Sequence, residues 1–144
     1  MSMNSSFQKK GKLITCTITN RFNKDLAPIQ LLCVGKPLGK TYFRWWKHVP
    51  QLAPSPELVD YTNRHRKGNP NWWDDYVPKL LQEWSDSKDF KVYLRKYVIN
   101  NLNDGKDVAV ACYCNRISRE VCHLSVLSDI VTSMGYESVE AEEV

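Results

Sequence analysis

The stretch from Val108 to Met134 places an uncharged strand, a cysteine-rich loop and a helical stripe in immediate succession. Residues 108–113 carry no charge, which is typical of a strand that is buried on both faces. Beyond this strand, apolar side chains recur at the helical spacing i, i+3, i+4 and i+7, at Leu127, Ile130, Val131 and Met134. A strand, a loop and a helix in this order predict an α/β unit, and ligands bind such sheets beyond the carboxyl ends of the strands.

The loop of this unit contains side chains suited to chemistry on an anionic substrate. Three of the five cysteines lie between residues 112 and 122, and His123 follows directly. A free thiol has a pKa of about 8.5 and becomes reactive when a helix N-terminus or nearby cations stabilise its thiolate. Arg116, Arg119 and His123 supply such cations. We therefore predict Cys122 as a nucleophile and His123 as its proton-transfer partner.

Other roles stay open for these cysteines. Cys114 is a candidate for resolving a sulfenic acid or disulfide formed at Cys122, as paired redox thiols do. Packing is the alternative, because free cysteine is among the most buried residue types. Packing is the favoured interpretation for Cys112, which lies on the strand. For Cys122, a packing role and a functional role are equally supported. A helix that began at Ser118 would place Cys122 a turn inside and weaken the effect of the helix dipole.

A zinc site is a third interpretation, since Cys112, Cys114, Cys122 and His123 are all potential ligands. Structural zinc sites usually pair cysteines about two to four residues apart in a turn, whereas the close pair here is C-x-C on a strand. Adjacent cysteine and histidine side chains also diverge on a helix. We therefore predict no metal and no cofactor.

Length and composition indicate one ordinary domain. The chain has 144 residues, of which 42% are hydrophobic and 25% charged, as in soluble globular proteins. We expect a flexible leader over residues 1–10, a single α/β domain over 11–140 and an acidic tail over 141–144. No apolar run approaches the roughly twenty residues of a membrane span, and the start lacks the apolar core of a signal peptide. We therefore expect a cytoplasmic location, no membrane partner and, from the odd number of cysteines, reduced thiols.

The charge distribution favours an anionic partner, and the first strands indicate where the partner would bind. The net charge is +4 although acidic residues collect near the C-terminus, so the rest of the chain is more basic than the total suggests. Leu13–Thr19 is β-branched and mostly apolar, which is typical of a strand, and Ile29–Val34 is a second strand candidate. If the sheet is parallel, the polar turn after the first strand lies at the same edge as the cysteine loop.

These observations predict a site for an anionic small molecule that is nucleotide-like or carries a phosphate. Its candidate ligand-binding residues are Asn20, Arg21, Tyr113, Asn115, Arg116 and Arg119. For Arg21, an arginine solvated in a turn is an equally good interpretation before the fold is known.

The segment 36–67 supports an alternative function, a nucleic-acid-binding module. It interleaves tryptophan, tyrosine and phenylalanine with lysine and arginine, as proteins that bind single strands do. Tryptophans in an irregular segment more often anchor it to the body of the protein, and anchoring is the favoured interpretation. The sequence does not specify an oligomeric state.

Helices are predicted between the second and third strands. Ser55 has the position and chemistry of an N-cap for a helix that runs to about residue 64. Apolar residues from Trp73 to Trp84 follow helical spacing, and Pro78 fits the first turn of that helix best, so Asp74 or Asp75 is its expected cap.

A further helical stripe runs from Phe90 to Leu102 and ends near Gly105, while Gly135 closes the last helix before an edge strand near residues 136–139. This order of elements predicts a single compact three-layer α/β domain. Its sheet is expected to be mostly parallel, with about four strands flanked by helices.

Five short motifs carry a family resemblance. They are Ala111-Cys-Tyr-Cys114, Cys122-His123, Asn20-Arg-Phe22, Leu52-Ala-Pro-Ser55 and Gly105-Lys106. Through them the chain resembles the bacterial and phage family catalogued as domain of unknown function 488. The similarity covers nearly the whole chain after the leader, and the cysteine and Cys-His pattern is its most specific part.

The resemblance implies a compact three-layer α/β domain with a cleft centred on cysteines, and it implies no particular reaction. One position departs from the family pattern, because Leu124 stands where the family has an arginine after Cys-His. If that arginine binds an anion in relatives, Arg116, Arg119 or Arg21 must do so here, or the activity has been lost.

Overall fold

The computed structural model describes residues 9–17, 26–34, 46–65, 68–112 and 123–141. This part of the chain contains one sheet of five strands, all paired in parallel. The strands are β1 (Lys12–Thr17), β2 (Ile29–Leu32), β3 (Lys47–His48), β4 (Val108–Cys112) and β5 (Glu137–Glu140). Their spatial order is β3-β2-β4-β1-β5. The predicted α/β class with a parallel sheet is confirmed, and the sheet has five strands where about four were predicted.

β4 lies at the centre of the sheet and is buried along its whole length. Each of its residues is at most 1% exposed. β1 pairs with one side of β4 and β2 with the other, so that Val110 lies between Thr15 and Leu31. Because successive side chains point to opposite faces of a sheet, unbroken burial means that both faces are covered. This position explains why the sequence shows an apolar run here instead of a polar alternation.

Helices occupy the connections from β3 to β4 and from β4 to β5. They are a 3₁₀ turn (Pro50–Leu52), α1 (Pro56–His65), α2 (Trp72–Asp86), α3 (Lys88–Tyr93), a π-helical segment (Leu94–Ile99), α4 (Asn100–Asn103) and α5 (His123–Ser133). Their buried apolar side chains and those of the strands form one hydrophobic core. In the part of the chain that the structure describes, no helix combines the length and the apolar character needed to cross a bilayer.

The predicted N-cap of α1 is confirmed. The Ser55 hydroxyl accepts a hydrogen bond from the Leu58 N–H at 3.1 Å. The Ser55 N–H donates to the Glu83 carboxylate at 3.0 Å, and its hydroxyl donates to the other oxygen of the same carboxylate. Because Glu83 belongs to α2, this serine also ties the start of α1 to the neighbouring helix.

The predicted start of α2 is wrong. The helix begins at Trp72, so Asp74 and Asp75 lie inside its first turn and neither is the cap. Pro78 lies in the helix interior, where it cannot donate a backbone hydrogen bond and where its ring crowds the carbonyl four residues earlier. The earlier start adds a turn that carries Trp72 and Trp73, whose ring centres lie 5.8 and 5.3 Å from that of the buried Tyr76. Side-chain packing therefore outweighs the preference of proline for a first turn.

The stripe that begins at Phe90 forms α3, the π-helical segment and α4 in continuous succession. Ser87 caps α3, because its hydroxyl accepts the Phe90 N–H at 3.0 Å. Four stripe residues are buried as predicted, namely Phe90, Leu94, Val98 and Leu102. The sequence did not predict the π-helical segment, which also turns Ile99 into the core.

The end of the described chain returns to the sheet. Gly135 follows α5 with a φ of 98°, the left-handed conformation expected of a glycine that ends a helix. β5 is the predicted edge strand, and it pairs with β1. Ala141 was assigned to the acidic tail, but it is buried and its N–H donates to the Thr15 carbonyl at 2.9 Å. Ala141 therefore belongs to the folded part.

Candidate functional site

The carboxyl ends of β1, β4 and β2 lie side by side at one edge of the sheet. Thr17, the last residue of β1, pairs with Cys112, the last residue of β4. The Cys33 N–H donates to the Ala111 carbonyl at 2.8 Å, which continues the pairing of β2 with β4 past the end of β2. A shared site for the turn after β1 and the cysteine loop required a parallel sheet. The sheet is parallel, and β1 and β4 are direct neighbours in it.

Most of the predicted site residues follow these strand ends in the chain and lie outside the described residues. They are Asn20, Arg21, Tyr113, Cys114, Asn115, Arg116, Arg119 and Cys122. Their roles stay predictions, and the description of the site rests on the residues that surround the strand ends.

His123 is the predicted site residue that the structure describes. It lies at the first described position of α5, is 7% exposed, and its Nε2 lies 2.8 Å from the Cys33 carbonyl oxygen. A carbonyl oxygen only accepts, so Nε2 carries the hydrogen and donates. The end of β2 therefore orients the His123 ring. Its proton-transfer role stays a prediction.

His48 is a second histidine at this edge, and sequence reasoning missed it. Its Nε2 donates to the Val34 carbonyl at 2.7 Å, and the ring is half-buried. The two histidines thus bind consecutive carbonyls, those of Cys33 and Val34, directly after β2. No periodicity could have revealed this contact, since β3 has only two residues and the hydrogen bond depends on where that strand pairs.

The three described cysteines belong to the core. Cys33 is 0% exposed, Cys112 1% and Cys16 3%. The Cys16 thiol donates to the Val110 carbonyl at 3.4 Å, across the β1–β4 pair. The favoured interpretation of Cys112 as a packing residue is confirmed, and the reactivity of Cys114 and Cys122 stays a prediction.

Leu124 explains the departure from the family pattern in physical terms. Its side chain is 2% exposed and belongs to the hydrophobic core. An arginine in the same position would bring a charge into an apolar environment, which is costly without a buried partner. Leu124 therefore cannot supply the anion-binding role that the resemblance suggests for this position. Its replacement by Arg21, Arg116 or Arg119 and the loss of the activity both stay open as interpretations.

The structure also bears on two alternative interpretations, nucleic-acid binding by segment 36–67 and a zinc site. Trp46 is buried in the core, so for this tryptophan of segment 36–67 the anchoring interpretation is confirmed. Among the described residues, no group of three or more histidine, cysteine, aspartate or glutamate side chains is placed to hold a metal ion. Cys114 and Cys122, two of the four potential zinc ligands, lie outside that set.

Comparison with known proteins identifies the family. The family model described as "Active DUF488-N3 subclade" matches residues 18–135, a range that includes every predicted site residue from Asn20 to His123. A search of curated proteins and a search of solved structures each returned no match. The matched range covers well over half of the chain. The chain therefore belongs to the domain of unknown function 488 family.

Proposed function

We propose that this chain is a cysteine-centred enzyme or ligand-binding protein for an anionic small molecule that is nucleotide-like or carries a phosphate. The ligand binds beyond the carboxyl ends of β1, β4 and β2. The observation that carries the proposal is the pairing of Thr17 with Cys112, because it makes the segments after β1 and β4 leave the sheet from neighbouring positions. Such a position is where open parallel sheets bind ligands.

Each predicted residue has a role in this proposal. Cys122 acts as the nucleophile or thiolate, and His123 accepts its proton. Arg21 and Arg116 hold the anionic group, since guanidinium groups bind phosphates and carboxylates through paired hydrogen bonds. The remaining members of the site are Cys114 as a resolving thiol and Asn20, Tyr113, Asn115 and Arg119 as ligand-binding residues. The word "Active" in the name of the matching subclade supports the enzymatic form of the proposal.

The proposal includes the cytoplasm as the location of the protein. Cys16, Cys33 and Cys112 are buried as thiols, and a reducing compartment keeps Cys114 and Cys122 in the thiol state that the mechanism requires.

The test compares two alkylating reagents of nearly the same size, anionic iodoacetate and neutral iodoacetamide, with each cysteine resolved by mass spectrometry. Cationic side chains around Cys122 raise the local concentration of an anionic reagent. The ratio of the iodoacetate rate to the iodoacetamide rate is therefore expected to be higher at Cys122 than at the cysteine of an unstructured, uncharged peptide.

The substitutions Arg21→Ala and Arg116→Ala should lower this ratio by slowing iodoacetate more than iodoacetamide. The Lys9→Ala variant removes an exposed charge before β1, at the opposite edge of the sheet, and should leave the ratio unchanged. A ratio equal to that of the peptide, or one insensitive to both arginines, contradicts the proposal. Stoichiometric zinc in protein purified without chelators would replace it with the metal interpretation.

A further inference from the structure

Cys33 and Cys112 lie side by side at the carboxyl edge of the sheet. Leu32 pairs with Ala111, and the Cys33 N–H donates to the Ala111 carbonyl at 2.8 Å. In a parallel ladder an N–H donates to the carbonyl just before its partner residue, so this bond places Cys33 in register with Cys112. In-register residues of adjacent strands point to the same face of a sheet. Both thiols therefore lie on one face, as direct neighbours.

The spacing of these neighbours suits a disulfide that opens readily. Adjacent strands lie about 4.7–4.9 Å apart, within the range of about 4.4–6.8 Å usual for the Cα atoms of a disulfide. The Cβ atoms of a disulfide lie about 3.5–4.5 Å apart, so closing the bond pulls the two strands slightly together and strains it. Strained disulfides are reduced more easily than structural ones. Cys33 and Cys112 are free thiols in this structure, which is the reduced state of such a pair.

The pair lies where two strands end. Cys112 is the last residue of β4, and Cys33 directly follows the last residue of β2. A bond between them would join the two chain segments covalently at the point where they leave the sheet. His123 donates to the Cys33 carbonyl at 2.8 Å, so α5 is tied to the same point. The mechanism proposed for Cys122 uses neither of these two thiols.

We propose that Cys33 and Cys112 form a reversible disulfide when the protein is exposed to a hydroperoxide. Hydrogen peroxide oxidises one thiol to a sulfenic acid, and one water is released. The sulfur of the second thiol then attacks the sulfenic sulfur, the S–S bond forms, and a second water leaves with the proton of that thiol. Two thiols are thereby oxidised and one peroxide is reduced to two waters. Hydrogen peroxide is little larger than water, so it reaches thiols that exclude an alkylating reagent.

Cys16 provides a matched comparison within the same core. It is 3% exposed and lies on β1, which is the other neighbour of β4. Cys16 pairs with Ala111, whereas Cys112 pairs with Thr17. Because successive side chains of a strand alternate between faces, Cys16 and Cys112 point to opposite faces of the sheet. Burial and neighbouring strands are common to both cysteine pairs, and only Cys33 has the register that the disulfide requires.

The test treats the native full chain with hydrogen peroxide, blocks the remaining thiols in acidic urea, and maps disulfide-linked peptides by mass spectrometry. Among the three core cysteines, the link between Cys33 and Cys112 should dominate, and dithiothreitol should restore both thiols. The Cys16→Ala variant should keep this link. The Cys33→Ala variant should lose it without gaining a link from Cys16 to Cys112.

The double variant Cys114→Ser/Cys122→Ser separates this proposal from the chemistry of the cysteine loop, and the link should still form in it. Circular dichroism confirms that each variant is folded. Oxidation of the chain unfolded in urea gives the distribution of links expected without the sheet. A native distribution equal to that one would overturn the proposal. Cys33 and Cys112 that remain thiols under peroxide sufficient to oxidise the unfolded chain would overturn it as well.

Discussion

Gly11 shows how a single residue decides the packing at the amino end of β1. Its N–H donates to the Leu102 carbonyl at 2.8 Å. A Cβ added to Gly11 would lie 2.0 Å from the Lys106 carbonyl oxygen and 2.4 Å from its carbonyl carbon. The glycine is required by this backbone contact, since the residues with positive φ lie elsewhere. It holds β1 against the segment that leads into β4.

The substitution Gly11→Ala should destabilise the protein by about 1–3 kcal/mol or more, because backbone atoms of Lys106 have to move to accept a methyl group. Chemical denaturation, followed by circular dichroism, measures the loss in the free energy of unfolding. Gly68→Asn is the control, because Gly68 has open space around its Cβ position and a φ of 73° that asparagine tolerates. A Gly11→Ala variant as stable as this control would contradict the contact.

His48 and His123 also show what single residues contribute. Each binds a backbone carbonyl, so each joins a neighbouring element to the chain directly after β2. The sequence predicted His123 because it follows a cysteine at a strand-to-helix junction. It could not predict His48, whose partner Val34 lies 14 residues away across a strand pair.

At the scale of elements, helical stripes and caps were predicted well because they depend on local spacing. Ser55 caps α1, and the predicted Tyr76, Leu80, Trp84 and Phe90 are buried in the core. Leu81, which the stripe of α2 also included, is exposed. Three features were missed: the early start of α2, the π-helical segment and β3. Each is determined by contacts between elements, namely the burial of Tyr76, the burial of Ile99 and the pairing of Leu32 with His48.

Pro78 gives a prediction for α2. Proline in a helix interior costs about 3 kcal/mol relative to alanine, because it removes a backbone hydrogen bond and crowds the preceding turn. Its ring is exposed, so little packing is lost on replacement. Pro78→Ala should therefore raise the free energy of unfolding by up to about 3 kcal/mol, measured as a higher midpoint of urea denaturation. Ser85→Ala, another exposed position of α2, controls for helix propensity. A midpoint no higher than that of the control would show that the helix accommodates the proline without strain.

At the scale of the whole molecule, the strand order is the feature that joins the sequence to the proposed function. The sequence predicted the α/β class, the parallel sheet and a shared edge for the turn after β1 and the cysteine loop. It did not specify that β1 and β4 are direct neighbours or that β2 flanks β4, because pairing between distant segments leaves no local pattern. The same limit applies to Leu124, whose burial became visible only in the assembled core.

The central claim is that the segment after β4 carries an activated thiol at the carboxyl edge of the sheet. The most direct measurement is the rate of iodoacetamide alkylation against pH, resolved for each cysteine by mass spectrometry. Cys16, Cys33 and Cys112 should stay protected in the native protein, since each is at most 3% exposed. Cys122 should react with a midpoint within the range of about 3.5–7.5 found for activated thiols. A midpoint at or above the free-thiol value of about 8.5, or protection equal to that of the buried cysteines, would contradict the account.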